Sequence, residues 1–125
     1  MGCPVVRWQM VSPRPDEVAS FYTRLFGWKL SRANALGYRE LRAGDAKGID
    51  GGVWPAPQHV PQGFVQLFVE VPDLDACIAD AVRLGGKVIV PKSELPDGDG
   101  MAVLLDPTGM PVAICRPAAG APSKD

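Results

Sequence analysis

Met101 to Cys115, MAVLLDPTGMPVAIC, is the stretch on which the reading of the chain turns. Two apolar runs flank Asp106-Pro107-Thr108-Gly109. Pro107 presets φ for the second turn position and Gly109 closes the turn, so the segment predicts a β-hairpin. The same order of strand, helix and turn signals occurs once earlier. Arg7 and Gln66, Asp16 and Asp75, and Gly27 and Gly86 are each 59 residues apart, so strand start, helix start and helix stop recur in one register. A fixed internal period is the mark of a duplicated unit, and the hairpin ends the second copy.

Outward from the hairpin, each copy reads as a βαβββ unit. In the first, residues 5–11 alternate as a strand, with Arg7 and Gln9 on one face and Val6, Trp8 and Met10 on the other. Pro13 and Pro15 break it. A helix follows, with Asp16 and Glu17 at its positive end and Val18, Phe21, Tyr22 and Leu25 as the expected buried stripe. Gly27 suits the left-handed position past its end. Residues 28–32, 37–42 and 48–54 read as three further strands, the last weakened by its glycines. A proline-rich connector at 55–63 separates the copies. The second copy offers a strand at 64–71, a helix at 74–84 with Leu74, Ile78, Ala81 and Val82 on one side, a helix stop at Gly85-Gly86, a strand at 87–90, and the closing hairpin. The modules thus span about 4–56 and 64–116 of a single domain, followed by a small polar tail at 117–125 expected to fray.

Composition narrows the function. In 125 residues, 46% hydrophobic and 22% charged residues are a globular balance, and a chain this long buries one core. A net charge of −1 without a basic cluster argues against nucleic acid, since phosphate binding needs concentrated Lys and Arg. No apolar run approaches the ~20 residues of a membrane span, and the first residues lack the apolar centre of a signal peptide. Three cysteines, Cys3, Cys77 and Cys115, are an odd number without metal-type spacing and fit free thiols in a reducing cytoplasm.

The duplicated unit, with Phe21-Tyr22 and Leu25-Phe26-Gly27-Trp28 closing the first helix, Gly51-Gly52 in the fourth strand, Val71-Pro72-Asp73-Leu74-Asp75 opening the second helix and Asp106-Pro107-Thr108-Gly109 before the last strand, resembles the vicinal oxygen chelate superfamily. This is the glyoxalase, bleomycin-resistance and extradiol-dioxygenase group. Within it the chain looks like the small proteins related to lactoylglutathione lyase. The resemblance implies an α+β fold: tandem βαβββ modules whose mixed sheet curves around a cavity, with the helices outside. It also implies a homodimer, as related chains of this size commonly pair. In metal-dependent members, inward His and Glu or Gln side chains hold a metal that chelates two neighbouring substrate oxygens as a Lewis acid. Here the corresponding positions carry Arg7, Gln66, residues 51–53 beside Asp50, and Ala113. One neutral amide survives where about three ligands are needed, and Arg7 would repel a cation. No cofactor is expected.

The candidate ligand-binding residues are therefore Arg7, Gln9, Gln66, Trp54 and Phe68. Arg7 suits a carboxylate or phosphate oxygen, or else pairs with Glu40 across the sheet. Gln9 and Gln66 either read a ligand or fill the cavity with a hydrogen-bond network. Trp54 sits at a strand end where a cavity mouth would lie, and Phe68, with Trp28 and Phe64, either walls a pocket or packs the core. Glu40, with Tyr38 on its face, and Asp50 are the candidate bases. His59, the sole histidine, falls in the connector as a solvated loop residue. Three functions follow: metal-independent binding of a small, anionic or planar molecule; a glyoxalase-like lyase, isomerase or dioxygenase with an altered site; or an interaction module with a filled cavity.

Overall fold

Strands begin at Val5 and Phe64 and helices at Pro15 and Leu74, so the 59-residue period holds for the elements themselves. The computed structural model describes residues 2–56, 63–95 and 98–117. Their elements are β1 (Val5–Ser12), α1 (Pro15–Phe26), β2 (Lys29–Leu30), β3 (Arg39–Arg42), β4 (Gly51–Pro55), β5 (Phe64–Glu70), α2 (Leu74–Arg83), β6 (Lys87–Glu94), β7 (Gly100–Leu105) and β8 (Pro111–Arg116). This is the α+β arrangement of two successive βαβββ modules. Contacts divide the chain into a first unit, Val6–Leu67, and a second that takes the rest, so the division falls inside β5 rather than at the expected connector. His59 and most of that connector lie outside the described residues.

In the first unit the strand order is β2-β3-β4-β1, with the opening residues of β5 beside β1. β1 runs parallel to β4, and β3 antiparallel to it. Helix α1 has Pro at its start, Asp16 and Glu17 in its first turn, and Gly27 at φ 73° donating its N–H to Thr23 O at 2.9 Å. The expected stripe is corrected here. Phe21 and Leu25 are each 58% exposed, and the residue pressed against the sheet is Ala19. A methyl side chain lets the helix approach β4 closely, which rotates Phe21 and Leu25 outward while Val18 and Tyr22 stay half-buried. Tyr22, Phe26, Trp28 and Trp8 form an aromatic cluster, with Trp8 and Trp28 centroids 5.1 Å apart. β4 starts three residues later than expected, because Asp45 organises a turn: its carboxylate accepts the Lys47 N–H at 2.8 Å and its carbonyl the Gly48 N–H at 3.0 Å.

In the second unit the closing half of β5 pairs parallel with β8, followed by antiparallel β7 and β6. α2 covers a core of Val71, Leu74, Ala102, Leu104 and Ile114, to which Cys77, Ile78 and Ala81 add. Asp73 caps the helix by accepting the Ala76 N–H at 3.0 Å. Val82, expected on the buried side, is exposed, since Cys77 and Ala81 take the contact arc. α2 is two residues shorter than α1, so the left-handed glycine is Gly85 at φ 96°, one position before the repeat places it. β6 runs on through Pro91 to Glu94. A proline is tolerated there because β6 lies at the sheet edge, and the pairing with β7 shifts register on either side of Val90. The closing turn forms as expected, with Gly109 N–H donating to Asp106 O at 2.9 Å and Gly109 at φ 94°. No helix among the described residues is long and apolar enough to cross a membrane.

Candidate functional site

Successive side chains of a strand point to opposite faces of its sheet. On β1 this sends Trp8 to the helix side, where its indole covers Gly51 and donates to Ile49 O at 2.8 Å. Gln9 goes to the other side. There the register aligns Gln9, Gly52 and Glu40 in one row, and Val11 with Trp54 in the next. Tyr38, two residues before Glu40, lies over Gly52, where any Cβ would run into its ring. Its ring also meets Trp54, with centroids 4.5 Å apart and planes tilted by 33°. The two glycines are thus what lets an aromatic ring lie flat on each face of β4. Tyr38 itself is presented by a turn in which Asn34 Oδ1 accepts the N–H groups of Leu36 at 2.8 Å and Tyr38 at 3.0 Å.

Under the Tyr38 ring, Gln9 is only 1% exposed. Its Nε2 donates to Tyr38 Oη at 3.5 Å, the outer limit of a hydrogen bond, and its Oε1 has no partner among the described residues. Gln66 on β5 is 6% exposed between the outward Val65 and Leu67, and its Oε1 also has no partner among the described residues. A buried acceptor without a donor costs about 1–3 kcal/mol. Among the described residues, β1 and β5 each carry one such group.

Arg7 shares the Gln9 face, is half-buried and is already engaged within the protein. Arg42 holds the Glu40 carboxylate at 3.2 Å. Asp50 is exposed and accepts the Ala43 N–H at 3.2 Å, which ties the β3–β4 turn. Phe68 belongs to the second unit, where it is buried opposite Ala113. Trp28 stacks with α1 residues on the helix side. Burial pushes the Cys77 thiol up, which disfavours a reactive thiolate. The residue that sequence reasoning undervalued is Tyr38. Its signal was the Gly-Gly pair one strand away, a gap that needs a ring to fill it.

Among the described residues no three His, Cys, Asp or Glu side chains converge on a point. Of the positions that the family resemblance marks for a metal, those of the first unit present Arg7, Gln66 and small residues of β4. That donor set does not fit a catalytic divalent ion. A surface cavity of about 310 Å³ lies in the second unit near the start of α2, spanned by the Lys92–Asp75 ion pair at 3.1 Å. It contains none of the expected site residues, and the side chains that line it are largely solvated.

The comparisons agree with this fold. The sequence pattern of the family described as Glyoxalase-like domain matches residues 8–115. CFP32 of Mycobacterium bovis and of Mycobacterium tuberculosis, provisionally named a glyoxylase, is 33% identical over 113 residues, covering 88% of this chain. The chain spans only 42% of the length of those relatives. Among solved structures, a hypothetical protein of Bacillus halodurans superposes with a TM-score of 0.69 at 15% identity, covering 98% of this chain and 100% of that one. Methylmalonyl-CoA epimerase of Mycobacterium tuberculosis gives 0.64 at 16% identity, covering 97% of each chain. At such identities the structures speak for the fold alone. With two modules in sequence register and a family pattern matched over nearly the whole described chain, the protein belongs to the glyoxalase-like domain family of the vicinal oxygen chelate superfamily.

Proposed function

We propose that the Gln9 face of the first unit binds a small molecule without a metal ion, with Arg7, Gln9, Gln66 and Trp54 as its contacts. The observation that carries this reading is the pair of buried amide oxygens left without donors. A folded protein tolerates such groups where a ligand or an ordered water completes them. The Tyr38–Trp54 pair beside them supplies an aromatic wall. In this reading the protein resembles the drug-sequestering members of its superfamily, works as a homodimer, and resides in the cytoplasm, which suits its free cysteines. The test is a thermal-shift screen of chelator-treated protein against small acids, sugars and planar drugs. Hits that are lost in Trp54→Ala support the reading; hits that appear only after a divalent metal is added contradict it.

A second reading is glyoxalase-like chemistry, favoured by the 33% identity to a protein provisionally named a glyoxylase and by Glu40 lying in the Gln9 row. Against it, Arg42 occupies the Glu40 carboxylate. Turnover of lactoylglutathione by the purified protein that is lost in Glu40→Gln would establish it.

A further inference from the structure

Antiparallel register sets three residues of the second unit in one row: Glu94 of β6 lies opposite Gly100 of β7, and Gly100 opposite Arg116 of β8. Residues directly opposite one another project to the same face of a sheet. Here it is the face that α2 covers, since Leu74 Cδ1 lies 2.7 Å from where a Gly100 Cβ would stand. A carboxylate and a guanidinium therefore flank a residue without a side chain, beside an apolar floor. All four residues line the cavity of about 310 Å³ at the start of α2. Its other charges are engaged: Asp73 accepts the Ala76 N–H at 3.0 Å, and Asp75 holds Lys92 at 3.1 Å. Glu94 and Arg116 enter no ion pair among the described residues.

We propose that this cavity binds a small zwitterion, an amino acid of short span, with its ammonium on Glu94 and its carboxylate on Arg116. A ligand that carries both charges meets both partners at once, whereas one with a single charge leaves the other protein group to water. The guanidinium edge also fits a carboxylate through two parallel N–H donors. Adjacent strands lie about 4.8 Å apart, so two steps separate the two strand positions by about 10 Å; a hydrogen bond of about 2.8 Å at each end leaves roughly 4 Å between the ligand's nitrogen and its acid oxygen. That span suits a β-amino acid better than a long ω-amino acid. The cavity belongs to the second unit and Gln9 to the first, so this proposal stands or falls apart from the binding reading above.

The experiment titrates the full chain with β-alanine, propylamine, propionate and ε-aminocaproate at low salt, following the Leu74 and Gly100 backbone amide resonances by NMR. β-Alanine should saturate, binding about threefold or more tightly than propylamine or propionate, the size expected of one solvent-exposed charge pair. It should also outbind ε-aminocaproate, whose charges sit too far apart, and added salt should weaken it. Glu94→Gln should remove its advantage over propionate, and Arg116→Gln its advantage over propylamine. Both residues are exposed, so the fold, followed by circular dichroism, should be retained. Propionate, propylamine or ε-aminocaproate binding as tightly as β-alanine would overturn the proposal, as would an advantage that survives in both variants. Failure of all four probes to saturate would overturn it too, the two charges then being met by water or by each other across Gly100.

Discussion

Asp106 carries more of the closing turn than its neighbours do. Its carboxylate accepts the Thr108 N–H at 2.8 Å, the Thr108 hydroxyl at 2.6 Å and the Met110 N–H at 3.0 Å. The Thr108 hydroxyl bond, followed by the Met110 backbone bond, holds the acid below the usual carboxylate range. An acid whose folded value is depressed contributes stability that is complete above its unfolded value, ~4, and is lost as pH falls through the lower folded value. Asp106→Ala should therefore melt below the parent at neutral pH, and the gap should close in acid; a gap that persists unchanged to the acid limit would separate the turn from the charge. Pro107 and Gly109 announced this turn in the sequence, whereas the network on Asp106 depended on where Thr108 and Met110 end up in space. Tyr38 was legible only in part for the same reason. Its alternation with Glu40 gave its face, but its seat over Gly52 follows from the β3–β4 register, which no local pattern encodes.

At the scale of elements, helix positions followed from the repeat, and helix faces did not. Apolar residues of α1 cover a wide arc, and which part of it meets the sheet was set by Ala19, too small to stand out in an apolar stripe. Ala19→Leu should accordingly destabilise the protein by about 1–3 kcal/mol through overpacking. Phe21→Ser, at a residue the sequence placed inside, should cost under about 0.5 kcal/mol. Urea unfolding of the two variants decides the matter, and a reversed order would mean the helix is rotated from this position. The start of β4 was misplaced for a related reason. The turn at Asp45 draws its hydrogen bonds from side chain and carbonyl together and claims residues that looked like strand. β6 outran its expected end because an edge strand forgives Pro91.

For the whole molecule, the duplicated register identified the superfamily, and the candidate site was legible as a set of positions rather than as an arrangement. Arg7 looked like the anchor because a cation in place of a ligand is conspicuous, whereas the burial of Gln9 and Gln66 is something no sequence pattern reveals. The proposed homodimer is testable by mass. Sedimentation at micromolar concentration should give twice the 13.3 kDa chain mass, and a monomer at all concentrations would contradict pairing. The central claim is that the two buried glutamines bind a ligand without a metal. Its most direct test follows the side-chain amide resonances of Gln9 and Gln66 by NMR as the tightest planar probe is added to chelator-treated protein. Both resonances should move together along one saturable curve; resonances that stay still until a divalent ion is supplied would contradict the account.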